Sequence, residues 1–570
     1  MRLTLLFSVI IAGLAITSCS DTETDVNELV AIGGKKYGGE FKFMSTEKIN
    51  SLTPTSSSDH YSSRIISQIY EPLLRLDPLT MEVMPSVAES FTVSNDAMVY
   101  TFKIRKGIFF HEDDCFGGKE HELDANDAKF TLDMACSGLE ENNVKYLLVN
   151  RIQGAQEFNK NTEKSFQAEG VSGIKVIDNN TLQITLSTPF SGFENIITHA
   201  SLGIYPKEAY DTYGKDLYKH AVGSGPFALE SMTDEKITLK RNNNYWKKDE
   251  FGNQLPFMSK VIMTYTTDKR AELMSFRNSD IDLVLEIPVD EIEHILGTLQ
   301  EAQEGKNVKH KVESEKSLSM AYIAMACESE EFSNVDVRKA FNLAVNREEI
   351  IDTKLEGEGW AAINGFVPSM RNYPSENIQG HKFNIIKAKA LMAGAGYPNG
   401  KNFPALDFYV NAIEGSAAHK LAEAISEQLK ANINVDLNIK LCTMDERQDA
   451  IESGEAKIWR AGWIADYPDP ENFLTLFYGG NISNSGMVNL FKFKSDKYDA
   501  LFEKAISESN PEKRMELLAQ CDQIVVDEAA LMPILTDDHI VMINARVRNF
   551  NANSMESLNI ADVFIKEPRQ

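Results

Sequence analysis

Hydrophobic residues in this chain change period repeatedly, from two to about 3.6 and back. Tyr100, Phe102 and Ile104 alternate with Thr101, Lys103 and Arg105. Leu182, Ile184 and Leu186 alternate with Gln183 and Thr185, and Val435, Leu437, Ile439 and Leu441 with Asp436, Asn438 and Lys440. A period of two is that of a strand with one buried face. Helical spacing lies between such runs. Val337, Ala340, Phe341, Ala344 and Val345 follow Ser333 and Asp336, which are expected as caps. Ile385 to Ala395 forms a helix stopped by Gly396-Tyr397-Pro398, and Leu421 to Leu429 forms another. Alternating strands and helices make α/β layers. The 570 residues exceed one core, so two or three domains are expected. An apolar fraction of 43% with 25% charged residues excludes gross disorder, collagen and coiled coil. There is no tandem repeat and no low-complexity segment.

The N-terminus sets the compartment. Arg2 is followed by an uncharged apolar run, Leu3 to Ile16, too short for a permanent span and suited to the apolar region of an export signal. The run ends in Ala15-Ile16-Thr17-Ser18-Cys19, which resembles a bacterial lipobox. Residues 1–18 then form a lipoprotein signal, Cys19 is the lipidated residue, and polar, acidic 19–39 is a flexible tether. No other stretch approaches a membrane span. Five cysteines remain, with no CxxC pair, which excludes zinc ribbons and redox motifs. Core thiols are expected for most of them, and a Cys115–Cys136 bridge stays open. With 84 acids against 58 bases, the net charge of −26 argues against nucleic acid as a partner.

Catalytic motifs are missing. There is no GxSxG elbow. Ala395 to Asn402 departs from a phosphate loop at its first glycine and its final Ser/Thr, and reads as a helix-to-strand turn. His111-Glu112-Asp113-Asp114-Cys115 mixes hard and soft ligand types without regular spacing, and reads as a solvated hairpin turn. No enzyme, cofactor or metal ligand set is expected.

The informative segment is Trp459 to Phe473. It holds two of the four tryptophans, then turns through two prolines and three acids. Ile458 to Ile464 reads as a strand, and Asp466 to Pro470 as the turn at its C-terminal end, where α/β sheets place ligands. Trp463 offers an apolar wall and Asp466 a carboxylate for a cation. A core strand followed by a Pro-Asp turn is the equally weighted alternative.

Gly462-Trp463-Ile464-Ala465-Asp466-Tyr467-Pro468-Asp469-Pro470-Glu471-Asn472-Phe473 resembles the signature of the bacterial extracellular solute-binding proteins, family 5, the peptide-binding proteins of ABC importers. Other blocks resemble the family in order along nearly the whole exported chain. These are Ile69 to Leu73, Pro85 to Phe91 with Tyr100 to Gly107, Leu123 to Ala128, Gly223 to Phe227, Arg241 to Trp246, Asp336 to Ala340 and Ala395 to Gly400. The resemblance implies an α/β, two-lobed, type II periplasmic-binding-protein fold, with ligand between the lobes. It places lobe I at 40–318 plus 530–570, with an extra subdomain at about 75–195, and lobe II at 319–529. The chain crosses between lobes near Ser319 and near Pro533.

In peptide-binding relatives the signature aspartate pairs with the ligand's α-ammonium, a role that carries over to Asp466. Gly462 and Ala465 would let a ligand backbone approach, and Ser57 and Ser58 match a ligand-facing loop. Dipeptide binders carry an Arg in a loop corresponding to Asn411 to Ser416, and none stands there, which favours longer peptides. The resemblance implies a monomeric, lipid-anchored peptide receptor in the cell envelope that delivers to the transmembrane subunits of an ABC permease. An oligosaccharide receptor of the same fold, with Trp463 stacked on a sugar, and a ligand sensor without transport are the alternatives.

Overall fold

Alternate burial builds the first sheet. Phe41 and Phe43 turn inward from the strand Glu40–Ser45, which pairs in parallel with Lys260–Tyr265. The computed structural model describes residues 31–49, 51–57, 59–166, 169–285, 287, 310–355, 357–482 and 489–566. The first sheet has seven strands, in the order His310–Lys316, Asp538–Asn544, Leu283–Val284, Glu40–Ser45, Lys260–Tyr265, Lys236–Arg241 and Phe227–Met232. The second has six: Trp360–Ala361, Leu531–Thr536, Ser319–Met325, Ile458–Ile464, Leu406–Asn411 and Leu437–Cys442. Every residue of Ser319–Met325 is buried. Met320, Tyr322 and Ala324 enter one apolar cluster, and Ala321, Ile323 and Met325 another on the opposite face. A strand covered on both faces reads as a continuous apolar run.

The chain changes sheet at Ser317-Leu318 and again at Asp537. The crossings are tied together: Ser317 N donates to Asp537 O at 3.0 Å, and Asp537 N to Ser319 Oγ at 3.3 Å. The return therefore falls beyond Pro533, and Leu531–Thr536, expected with the first lobe, pairs in the second sheet. Proline lacks an N–H and argues against a sheet interior. Pro533 is accommodated because the register slips between Ala321 and Tyr322, beside it.

Residues 31–39, expected in the tether, pack onto the fold instead. Asn253 bonds both the N–H and the C=O of Ile32, and Lys35 pairs with the buried Asp249 at 2.9 Å. Cys19 and the signal region lie outside the described residues. No described helix is long and apolar enough to cross a membrane. All five described cysteines are free thiols, Cys115 and Cys136 included. The helix Val335–Ala344 is capped by Asn334, whose Oδ1 accepts from Asp336 N at 2.9 Å, rather than by Ser333 or Asp336. Asp336 lies inside the first turn, where its charge suits the helix dipole.

A four-stranded antiparallel sheet, in the order Ala88–Val93, Val99–Ile104, Thr181–Thr185 and Ile174–Asp178, packs with the helix Ala125–Cys136. Several of the resembling blocks meet beside it, around the buried Glu71. Tyr245 Oη and Trp246 Nε1 each donate to its carboxylate at 2.8 Å. Arg105 lies over the Trp246 ring at 4.4 Å. Gly223 passes so close to Ile69 that a Cβ there would stand 2.1 Å from Ile69 O. These blocks hold the first lobe together.

His111 joins the Gly223–Gly225 turn through Nε2, which donates to Gly225 O at 2.9 Å. Burial brings its imidazole down to about 4. Histidine in the unfolded chain titrates near 6.5, so the unfolded state binds more protons from about pH 6.5 down to about 4, and stability falls as pH drops through that window. Relative to His111→Gln, the parent is expected to lose about 2 kcal/mol between pH 7 and pH 5. Urea midpoints at the two pH values measure this. Parallel shifts in both proteins would show that His111 accepts its proton while folded.

Candidate functional site

The strand Ile458–Ile464 forms where the sequence places it. Proline and an aspartate cap then start a short helix, Pro470–Leu474: Asp469 Oδ1 accepts from Glu471 N at 2.9 Å. Pro470 is thus the first helical residue rather than the end of the turn.

Asn472, on that helix, reaches back and fixes the turn. Its Oδ1 accepts from Trp463 Nε1 at 2.9 Å and from Asp466 N at 3.0 Å, and its Nδ2 donates to Asp466 Oδ2 at 3.2 Å. Asp466 is half-buried. Tyr146 and His199, both from the first lobe, lie within electrostatic reach of its carboxylate. Burial pushes the Asp466 carboxyl above its ordinary range, while His199, Asn472 and Tyr146 pull it back. Among the described residues no lysine or arginine ion-pairs with it.

The other two acids of the signature are engaged. Arg514, from the helix Pro511–Asp527, grips Asp469 with two bonds of 2.7 and 2.8 Å, both side chains being 2% exposed. Arg151, from the first lobe, bonds Glu471 at 2.8 Å. Both guanidinium groups lie against the ring of Phe190, at 4.7 and 5.0 Å. Tyr467 is buried in the first lobe's apolar cluster, and its hydroxyl donates to Glu471 at 2.6 Å. Gly192 closes this contact, since a Cβ there would meet Asp469 Oδ2 at 2.9 Å and Arg514 Nη2 at 3.0 Å.

One edge of the signature strand is open. It pairs with Ser319–Met325 along its whole length, but with Leu406–Asn411 only through Ile458 and Trp459. Among the described residues no other strand pairs with Arg460 to Ile464 on that side. A Cβ on Gly462 would approach nothing nearer than Met320 O at 3.8 Å, so packing does not demand glycine there. Arg460 stands at the far end of this stretch. Burial lowers its guanidinium pKa, its Nε is buried without a hydrogen-bond partner, and Asp537 attracts it. Arg447, on the helix Met444–Glu452, donates to Arg460 O at 2.9 Å and to Asn411 Oδ1. The loop after Asn411 holds no arginine of its own, yet Arg447 stands at its first residue.

The remaining sequence-chosen residues fare differently. Trp463 is half-buried, with its N–H engaged by Asn472. Ala465 is buried in the second lobe, its N–H donating to Leu318 O at 2.8 Å. Ser57 is buried; its hydroxyl donates to Asp59, the cap of the helix His60–Ile69. Ser58 lies outside the described residues. Arg460, Arg447 and Asn472 also stand around this edge and turn, and were not chosen as candidates from the sequence. Asn472 and Arg460 lie inside the informative segment and were legible as polar side chains flanking Asp466. Nothing in the sequence singles out Arg447.

The family model for bacterial extracellular solute-binding proteins, family 5, matches residues 82–485. The chain belongs to this family. As a family 5 member it is a periplasmic or extracellular solute-binding protein of ABC importers, not an enzyme. It is 28% identical over 496 residues to heme-binding protein A of Haemophilus influenzae, covering 85% of this chain and 84% of that one. It is 25% identical over 506 residues to di/tripeptide-binding protein 3 of Pseudomonas aeruginosa, covering 87% and 89%. The ABC transporter-associated periplasmic binding protein DppA of Helicobacter pylori, solved with the peptide STSA, shares the family 5 fold. Its TM-score is 0.77 at 24% identity, over 93% of this chain and 99% of that one.

Proposed function

We propose that this family 5 protein is a lipid-anchored receptor that captures peptides between its lobes and hands them to an ABC permease. The open backbone edge from Arg460 to Ile464, ending at the unpaired carboxylate of Asp466, carries this reading. An extended peptide can add to such an edge, taking affinity from main-chain bonds while side-chain pockets stay permissive. Its α-ammonium meets Asp466, Tyr146 and His199, and its carboxylate meets Arg460 with Arg447 behind it. Residues 460 to 466 span roughly 20 Å at about 3.3 Å per residue, which favours an oligopeptide over a dipeptide. The lipobox-like Cys19 supports the anchor.

Calorimetry with a free tetrapeptide and its N-acetylated form tests the reading. The free peptide is expected to bind, and acetylation to abolish binding, because an amide cannot replace the ammonium at Asp466. Equal affinity for both forms would remove Asp466 from the ligand's amino end, and binding of neither form would favour the oligosaccharide reading.

A further inference from the structure

Away from the crevice, three side chains converge from three elements of the first lobe. His121 stands beside the bridge between Phe109 and Glu122. Asp127 is in the first turn of the helix Ala125–Cys136, and Glu208 in the first turn of Lys207–Tyr213. One nitrogen or oxygen from each residue can be chosen so that all three lie within 4.8 Å of one another.

We propose that His121, Asp127 and Glu208 bind a divalent transition-metal ion, with zinc as the favoured occupant. The separations carry the argument. His121 Nε2 stands 3.5 Å from Asp127 Oδ2, and Nδ1 stands 3.9 Å from Glu208 Oε1. A good N–H···O bond is about 2.7–3.2 Å long, so neither contact is a well-formed hydrogen bond. Ligands bound at about 2.0–2.2 Å to a tetrahedral ion stand about 3.4 Å apart, near the first of these separations. An ion takes only one of the two nitrogens, so Glu208, 3.9 Å from Nδ1 and with its side chain 47% exposed, swings toward Nε2 to join Asp127; one ligand atom from each of the three residues already lies within 4.8 Å of the others.

Two of the three ligands are held in place. The imidazole lies between Phe110 and Phe116, with ring centroids 5.5 and 4.9 Å away, and Phe110 N donates to His121 O at 3.0 Å. Asp127 is buried and accepts from Asp124 N at 2.9 Å. One imidazole and two carboxylates leave a position for water, a donor set that zinc accepts and binds more tightly than manganese or iron does. Such an ion would cross-link the hairpin to two helices in a protein whose described cysteines form no disulfide. The sequence directs attention to His111–Cys115, whereas the partner histidine is His121, brought to the two carboxylates only by the fold.

The test titrates zinc into tag-free protein stripped with a chelator, in competition with a chromophoric chelator, and follows thermal unfolding in parallel. The parent is expected to bind one ion and to unfold at a higher temperature when loaded. Glu208→Gln and His121→Asn should each weaken binding by about tenfold or more, since loss even of an outer-shell partner costs about 10–100-fold. Glu208→Gln, at an exposed position, should unfold like the parent without metal. No saturable binding by the parent, or parental affinity in Glu208→Gln, would overturn the site.

Discussion

Replacing Asp466 with asparagine is expected to weaken binding of a peptide with a free amino terminus by about 2–5 kcal/mol, the range for truncating a desolvated charge pair. That is a loss of about 30-fold to several thousand-fold in affinity. Asparagine keeps the shape and can still meet Asn472, which bonds the carboxylate now. What it removes is the charge. In the free protein no described lysine or arginine pairs with that charge, and burial already pushes the carboxyl toward its neutral form. An incoming ammonium therefore meets an acid whose ionised form has no lysine or arginine partner, and gains the interaction that such a partner would otherwise hold. Isothermal calorimetry on the parent and Asp466→Asn checks this. If the variant binds as tightly as the parent, the amino end of the ligand lies elsewhere.

The second large effect is on stability. Asp469→Ala is expected to cost about 3–5 kcal/mol, because it strands the Arg514 guanidinium in a water-poor site. The double variant Asp469→Ala/Arg514→Met should recover most of that loss, since removing both partners leaves no unpaired charge. Urea unfolding of the two variants separates the cases. A double variant as unstable as the single one would mean that the packing of Phe190 against the guanidinium, rather than the pair, holds the contact. Asp466 and Asp469 stand three residues apart in one turn, and the expected losses differ in kind: affinity for one, folding for the other.

That contrast shows what could be read in advance. The strand Ile458–Ile464, the α/β order and the family were legible because each rests on residues close together in the chain. Local patterns also misled. Ser333 and Asp336 are good capping types, but Asn334 between them takes the cap. The crossing expected near Pro533 falls at Asp537, and Pro533 lies within a paired strand, because the neighbouring register slips beside it. Ser57 looked available to a ligand, and its hydroxyl is turned to Asp59. Residues 31–39 looked like linker until Asn253 and Asp249 gave their polar groups partners.

The sequence by itself determined the strand that presents Asp466, the turn that follows it and the kind of protein that carries such a turn, since periodicity and turn chemistry act within a few residues. Only the tertiary structure decided which acid of that turn stays unpaired. Arg514 reaches Asp469 from a later helix and Arg151 reaches Glu471 from the other lobe, while no lysine or arginine ion-pairs with Asp466 among the described residues. The fold also decided that one strand edge stays open and that Arg447 and Arg460 gather at its far end. A charge is neutralised by whatever lies within a few ångströms in space, and chain order does not record that distance.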